Sequence, residues 1–223
     1  MVFFIIGGRM KKSLKLKVLK KQRIAVLVGH NSKKTGVFSG GIREWNYNRD
    51  LAKEICTHSR TFGILSRVFY RTYDQEISRE IGNAYREIAA YNPDMVLDLH
   101  CNGFIDPGAN GCEMLTNGGH ESTRIGESLC DYITHEFGTK NRGAKILGRH
   151  ENGGLSVYAY SDTPACAHIP IIVCEPFFLT NPKEREMFCS ESGRIRLARA
   201  ILSGAACYWH DRKKRILPWD HKK

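Results

Sequence analysis

The chain has 223 residues, a length that suits one sizeable α/β domain better than two small ones. An apolar content of 42% and a charged content of 26% are typical of a soluble globular protein, and no stretch approaches the ~20 apolar residues that span a bilayer. The net charge of +11 favours an anionic partner, but charge alone does not choose between nucleic acid, an acidic membrane face and an anionic cell-wall polymer.

Both ends of the chain are basic. Residues 1–21 form a lysine-rich arm and residues 209–223 form a second basic tail, so we expect residues 22–208 to form the folded domain. Apolar runs predict strands near 23–29, 65–70, 94–100, 112–116, 155–160 and 170–175. Helical patterns fill the gaps near 42–62, 76–91, 120–137 and 183–208. This alternation predicts a single α/β domain with a mostly parallel, twisted sheet of about six strands and helices on both faces.

The eight cysteines include no Cys-x-x-Cys pair, which argues against a structural zinc ribbon. Several of them lie in apolar runs, where a free cysteine behaves as a small hydrophobic residue. We interpret them as reduced thiols in a protein made in the cytoplasm, although the even count leaves disulfides open. The N-terminal apolar run is short and follows no basic residue, so no secretory signal is visible.

Three of the predicted strands end in an ionisable residue. His30, His100 and Glu175 each close a run that is otherwise mostly apolar. Because ligands bind at the carboxyl ends of strands in open α/β sheets, these three side chains predict a site there. Glu44 lies fourteen residues after His30, near the start of a predicted helix.

Two histidines and one glutamate are a known ligand set for catalytic zinc, which leaves a fourth position open for water. In that interpretation Glu175 remains as the general base of a hydrolytic reaction. The structural alternative is that the histidines are ordinary core or rim residues, and that Glu44 only stabilises the first turn of its helix. Spacing alone leaves both interpretations open.

The sequence around these residues carries a series of short motifs. They are Gly29-His30; Glu44 with Asn48 and Leu51; His100-Cys101-Asn102; Gly111-Cys112-Glu113; Arg142-Gly143; and Glu175-Pro176-Phe177-Phe178-Leu179-Thr180-Asn181. Each motif is weak by itself. Taken in this order, from about Ile24 to Cys207, they resemble the zinc-dependent N-acetylmuramoyl-L-alanine amidases of the peptidoglycan amidase type.

The resemblance implies Zn²⁺ held by His30, Glu44 and His100, with Glu175 as the catalytic residue. It also implies that Asn102 and Arg142 belong to the substrate pocket. Residues 22–208 would then be the zinc amidase domain, which cleaves the amide bond between N-acetylmuramic acid and L-alanine in peptidoglycan.

Three positions depart from the family pattern. Phe177 stands where glycine is usual, which suggests a differently shaped loop beside Glu175. Asp98 stands where serine is typical, and strand alternation places it on the same face as His100. It would then either support that histidine or compete for the metal. The loop at 31–36 carries two lysines instead of glycines, and these can meet an anionic substrate.

Two other functions remain open on the sequence. A zinc hydrolase of N-acyl amino acids or of C-terminal peptide bonds, like a carboxypeptidase, would use the same residues. A non-catalytic wall- or nucleic-acid-binding module would instead rely on the basic ends. We expect peptidoglycan as the partner, with no nucleic acid and no membrane span, and leave the oligomeric state open.

The absence of a visible export signal suggests either a phage or prophage lysis enzyme released by other means or a recycling role in the cytoplasm. His150, in a glycine-rich stretch, is a lesser candidate for substrate contact. The arm and the tail are predicted to serve attachment to the wall and not the chemistry.

Overall fold

Strands and helices alternate along the chain in the computed structural model, which describes residues 21–148 and 168–216. The strands are β1 (Gln22–Val28), β2 (Phe38–Ser39), β3 (Ile42–Arg43), β4 (Ile64–Tyr70), β5 (Met95–Leu99), β6 (Cys112–Thr116), β7 (Asn141–Ile146) and β8 (Ile171–Glu175). The helices are α1 (Glu44–Ser59), α2 (Ile77–Tyr91), α3 (His120–Phe137), α4 (Pro182–Cys189) and α5 (Glu191–Ile216). A short 3₁₀ turn, Arg60–Phe62, follows α1.

Six of the strands form one sheet in the order β4-β1-β5-β8-β6-β7. The first four of these are parallel, while β6 is antiparallel to β8 and parallel to β7. The carboxyl ends of β1, β5 and β8 therefore meet at one edge of the sheet. The predicted α/β class, with a mostly parallel sheet of six strands, is confirmed.

Side chains of β1 alternate between two cores because successive residues of a strand point to opposite faces of the sheet. Ile24, Val26 and Val28 pack in the larger core with apolar residues of α1, α3 and α5. Ala25 and Leu27 pack in the smaller core on the other face. That face is covered by α2, whose buried apolar residues follow helical spacing: Ile81, Ala84, Tyr85 and Ile88. Helices thus cover both faces of the sheet, as predicted.

The edge strand β7 was not predicted from the sequence. It is only partly buried, so it lacks the apolar run that marks the central strands. Its pairing with β6 also contains a register shift at Arg142, and Gly143 has a positive φ of 78°. This bulge interrupts the two-residue alternation that identifies a strand. The strand predicted near 155–160 lies outside the described residues.

The helix predicted near 183–208 is two helices that meet at Ser190. The backbone of Ser190 is extended, with φ −63° and ψ 156°, which ends α4. Its Oγ accepts the N–H of Gly193 at 3.0 Å and so caps the first turn of α5. The sequence pattern missed this break because both helices turn apolar residues toward the same core.

Helix α5 continues beyond residue 208, into the segment that the sequence suggested to be a tail. Trp209 is only 6% exposed and belongs to the larger core, and Arg212 forms an ion pair with Glu121 of α3 at 2.8 Å. Among the described residues, no helix combines the length and the apolar character needed to cross a membrane.

Candidate metal centre

The fold brings His30, Glu44 and His100 together at the carboxyl edge of the sheet. His30 and His100 follow the adjacent strands β1 and β5, and Glu44 is the first residue of α1. One potential ligand atom from each of the three lies within 4.8 Å of the others. The three residues that the sequence suggested as metal ligands therefore form one cluster in space.

Glu44 lies between the two histidines. Its Oε2 is 3.1 Å from Nε2 of His30, and its Oε1 is 3.1 Å from Nδ1 of His100. Backbone N–H groups fix the carboxylate from behind: Cys101 donates to Oε1 at 2.9 Å and Val37 donates to Oε2 at 2.8 Å. Glu44 is 1% exposed whereas the His30 side chain is 31% exposed, so the cluster opens to solvent at His30.

Two glycines make the room for this cluster. A side chain at Gly29 would collide with the His100 ring, and one at Gly36 would collide with the Glu44 carboxylate and the His30 ring. Gly36 also has a positive φ of 72°, which a side chain would disfavour. His30 itself has a positive φ of 63°, an uncommon backbone conformation for a residue with a side chain, and one often found at functional sites.

A buried polar network supports the backbone of His30. Arg71 donates from Nε to the His30 carbonyl oxygen at 3.3 Å and lies 3.7 Å from Glu80. Glu80 accepts a hydrogen bond from the side chain of Asn31 at 2.7 Å. Sequence reasoning missed this network because Arg71 and Glu80 lie far from the metal motifs in the chain.

Burial and close charges act together on the pKa values of the cluster. Burial disfavours the charged form of Glu44, but hydrogen bonds from His100 and His30 outweigh it and hold the pKa of that carboxyl well below its usual range. Burial also opposes protonation of His100, yet the carboxylates of Asp98 and Glu44 raise its pKa to about 10. Both shifts come from the close contacts between the two histidines and the carboxylates of Glu44 and Asp98.

Glu175 lies beside the cluster on the neighbouring strand. Leu99 of β5 pairs with Cys174 of β8, and the His100 N–H donates to the Cys174 carbonyl at 2.9 Å. His100 and Glu175 therefore occupy the next position of two parallel strands and share one face of the sheet. Oε2 of Glu175 is buried and has no hydrogen-bond partner among the described residues. Burial, with the nearby carboxylates, raises the pKa of Glu175 to about 8.

Residues 24–207 match the N-acetylmuramoyl-L-alanine amidase family. The chain belongs to this family. The match confirms the family that the sequence motifs indicated, and the matched range spans the positions of His30, Glu44, His100 and Glu175. Members of the N-acetylmuramoyl-L-alanine amidase family are hydrolytic enzymes, and residues 24–207 form a domain of that family.

Individual relatives agree with this assignment. The chain is 25% identical over 215 residues to the N-acetylmuramoyl-L-alanine amidase LytC of Bacillus subtilis, a match that covers 93% of the chain and 40% of LytC. The chain thus spans about 40% of the length of that curated relative. Among solved structures, the CwlD amidase of Clostridioides difficile, in complex with the GerS lipoprotein, is similar with a TM-score of 0.73 and 19% identity, over 85% of this chain and 99% of that one. An N-acetylmuramoyl-L-alanine amidase from Clostridium difficile 630 gives a TM-score of 0.68 and 18% identity, over 86% of this chain and 98% of that one.

The amidase fold brings the other two predicted site residues together at Glu113. Asn102 donates from Nδ2 to Oε1 of Glu113 at 2.5 Å, and Arg142 donates from Nε to Oε2 at 2.6 Å. Lys145 donates to the same Oε2. Sequence reasoning noted Glu113 as part of a motif but did not identify it as the centre of this network, and it missed Lys145. The sequence feature that could have revealed this network is the short basic segment in which Lys145 follows Arg142 by three residues.

Phe177, the departure from the usual glycine, is a core residue of the domain. It is fully buried, stacks on Phe188 at 4.6 Å and meets Tyr47 edge-to-face at 5.3 Å. The aromatic ring thus anchors the loop that follows Glu175 to the larger core. His150, the lesser candidate, lies outside the described residues.

The cluster of His30, Glu44 and His100 fits a zinc ion by its chemistry. Two imidazole nitrogens and one carboxylate are donors that zinc prefers, and Glu44 is already held by two backbone N–H groups in a fixed orientation. The buried oxygens of Asp98 and Oε2 of Glu175 have no hydrogen-bond partner among the described residues. Buried carboxylates without hydrogen-bond donors are expensive, and a divalent cation near Asp98 and Glu175 adds to the compensation that His100 gives Asp98 at 3.4 Å.

Proposed function

We propose that this amidase domain hydrolyses the amide bond between N-acetylmuramic acid and L-alanine in peptidoglycan, with zinc held by His30, Glu44 and His100. The observation that carries the proposal is the position of Glu175. A buried carboxylate oxygen without a hydrogen-bond partner lies on the strand next to a cluster of metal-binding type. This is the arrangement that hydrolysis by an activated water requires.

The three proposed ligands are rigid. His30 and His100 extend from the ends of paired strands, and Glu44 is fixed by the backbone N–H groups of Val37 and Cys101. When bound there, zinc supplies a Lewis acid that polarises the amide carbonyl and activates water. Because His30 is the most exposed of the three ligands, substrate reaches the cluster from that side.

Glu175 is the proposed general base and acid. It accepts a proton from the attacking water and returns it to the nitrogen of the leaving L-alanine, so that the amine departs neutral. A base works best when its pKa lies near the working pH, and burial brings the pKa of Glu175 to about 8. A cation held at the neighbouring cluster stabilises the charged form and lowers this pKa toward neutrality.

The network around Glu113 is proposed to form the adjacent wall of the substrate pocket. Glu113 holds Asn102 and Arg142 in place, and the Arg142 guanidinium lies over the ring of Phe178 at 5.1 Å. The Arg142 side chain is 28% exposed, so it presents positive charge and N–H donors at the surface. Peptidoglycan stem peptides offer carbonyl and carboxylate oxygens to such donors.

The net charge of +11 agrees with an anionic polymer such as peptidoglycan as substrate, and we propose the cell wall as the site of action. The larger relative and the CwlD–GerS complex show that amidases of this fold occur within longer chains and in assemblies. The partners of this chain are a separate question from its chemistry.

Digestion of purified sacculi tests the proposal. We expect release of free L-alanine N-termini without new reducing sugars, loss of that release in chelator and its recovery on adding zinc. New reducing sugars would indicate a glycosidase and contradict the proposal. Cleavage of small N-acyl amino acids or of C-terminal peptide bonds, with intact sacculi untouched, would instead assign the same residues to a different amide substrate.

A further inference from the structure

The two ring nitrogens of His100 face different surroundings. Nδ1 points toward the cluster and lies 3.1 Å from Oε1 of Glu44. Nε2 is buried, 3.4 Å from Oδ1 of Asp98 and so close to Gly29 that a side chain at that position would collide with it. Only Nδ1 is therefore placed to meet a metal ion at this cluster, while Nε2 is enclosed with Asp98.

Asp98 is fully buried, so its carboxylate needs a hydrogen-bond donor or a cation beside it. It is 0% exposed at the penultimate position of β5, between Leu27 and Val173 on the neighbouring strands. Neither of its oxygens accepts a hydrogen bond from the described residues, and Nε2 of His100 likewise has no partner. An ionised carboxylate in such a place costs several kcal/mol unless a donor or a cation compensates it.

The nearest available donor is Nε2 of His100. A distance of 3.4 Å is slightly longer than a usual N–H···O hydrogen bond, so a small rotation of the ring or of the carboxylate closes it. A neutral imidazole carries only one N–H. If Asp98 holds that proton on Nε2, then Nδ1 keeps its lone pair free on the side of Glu44.

We propose that Asp98 is a positioning residue that accepts a hydrogen bond from Nε2 of His100 and thereby directs Nδ1 of that ring to the metal. The inference rests on the proposed zinc site and adds a residue to it. Asp98 acts through His100 and not as a ligand, because it lies at the opposite edge of the ring from the cluster of His30, Glu44 and His100. Carboxylates behind metal-binding histidines commonly play this part.

Zinc affinity of Asp98 variants tests the proposal without relying on turnover. The full chain is titrated with zinc in competition with a chromophoric chelator at fixed pH. We expect Asp98→Ala to weaken zinc binding about 10–100-fold, the usual effect of removing such a partner. Asp98→Asn keeps an oxygen that can accept the Nε2 proton, so its affinity should lie between those of Asp98→Ala and the wild type.

Glu184→Gln is the matched control for loss of a buried carboxylate. Glu184 is 5% exposed and accepts the N–H groups of Gly111 and Phe178, each at 2.8 Å, and among the described residues no hydrogen bond or ion pair joins it to His100. We expect its zinc affinity to equal that of the wild type. An equal loss in Glu184→Gln and Asp98→Ala would mean that buried charge in general, and not Asp98, supports the site.

Nitrogen NMR of the histidine rings provides a second readout. In the zinc-loaded wild type we expect His100 to carry its proton on Nε2, with slow exchange and a downfield proton shift that Asp98→Ala removes. Unchanged affinity and an unchanged Nε2 proton in both Asp98 variants would overturn the proposal, as would a zinc loss in Asp98→Ala as complete as in His100→Ala, which would make Asp98 a ligand. A wild type that binds no zinc would overturn the metal site itself.

Discussion

Glu175 and Glu113 are cross-strand partners on β8 and β6, yet their surroundings are opposite. Both oxygens of Glu113 accept hydrogen bonds, from Asn102, Arg142 and Lys145, and these contacts outweigh burial and lower its pKa. Oε2 of Glu175 has no such partner among the described residues, and burial raises its pKa to about 8.

The comparison shows how one residue type serves two purposes at one edge of a sheet. A carboxylate with cationic donors stays ionised and holds other side chains in place. A buried carboxylate without them keeps a strong affinity for a proton, which suits a general base or acid. The environment, and not the residue type, separates the proposed structural role of Glu113 from the proposed catalytic role of Glu175.

The largest expected effect is a difference in kcat between variants of Glu175 and of Glu113. Glu175→Gln preserves shape but cannot accept a proton, so kcat should fall about 10²–10⁴-fold. Glu113→Gln should lower kcat much less, since Glu113 is not proposed to transfer a proton. Steady-state kinetics on a soluble muropeptide measure both variants. Similar losses in the two would erase the proposed division of roles, and an active Glu175→Gln together with an inactive Asp98→Asn would show that the base is Asp98.

The second effect is the pH dependence of stability in the metal-free protein. Because the pKa of Glu175 is raised in the folded state to about 8, its stabilising contribution is complete below its ordinary pKa of 4.5 and is lost as pH rises through 8. Between pH 5 and pH 8 the wild type should therefore lose about 1–3 kcal/mol of stability that Glu175→Gln retains. Urea unfolding in chelator at several pH values measures this difference. A constant difference across that range would mean that Glu175 titrates normally.

The third effect is the pH dependence of stability that Glu113 produces, and it should run in the opposite direction to that of Glu175. Its pKa is lowered in the folded state, so its contribution to stability is present above its ordinary pKa of 4.5 and is lost as pH falls further. Glu113→Gln leaves Arg142 and Lys145 without their carboxylate, so the free energy of unfolding should fall by about 1–3 kcal/mol at neutral pH. Solvent screening limits this loss, because the Lys145 side chain is partly exposed. Urea midpoints at neutral and acid pH should converge for this variant and the wild type. A difference between the two urea midpoints that increased toward acid pH would contradict the ion-pair interpretation.

The smallest effect on chemistry is expected from the basic ends, which lie away from both glutamates in sequence. Removing residues 1–20 and 217–223 spares Lys21, helix α5 and the Arg212–Glu121 pair. Sacculus binding should weaken, most visibly at low ionic strength, because exposed charges are screened over about 10 Å at 0.1 M salt. Turnover of a soluble muropeptide should barely change. Equal losses on sacculi and on the soluble substrate would mean that the ends support the fold or the site.

Much of the site was predictable because strand ends are visible in the sequence. The apolar runs that end at His30, His100 and Glu175 mark buried strands, and the rule for the edge of a parallel sheet places their last residues together. Glu44 was identified by its local motif. The metal assignment itself depended on family resemblance, because spacing alone did not distinguish ligands from rim histidines.

The remaining features depend on contacts between residues distant in the chain. The partners of Glu113 come from two separate segments, the one at Asn102 and strand β7, and the bulge at Arg142 hides strand β7 from any pattern of alternation. The break at Ser190 rests on a single capping hydroxyl within a continuous apolar pattern. Phe177 is buried in the core because it packs against Tyr47 and Phe188, and its neighbours in the sequence do not predict these contacts.

Zinc content of three proteins purified in parallel tests most directly whether ligands and base are separate. We expect about one zinc per chain in the wild type and in Glu175→Gln, and most of the zinc lost in His100→Ala, since a catalytic site needs all three protein ligands. Full zinc occupancy in His100→Ala would contradict the proposed ligand set. Loss of zinc in Glu175→Gln would show that Glu175 binds the metal and is not a free base.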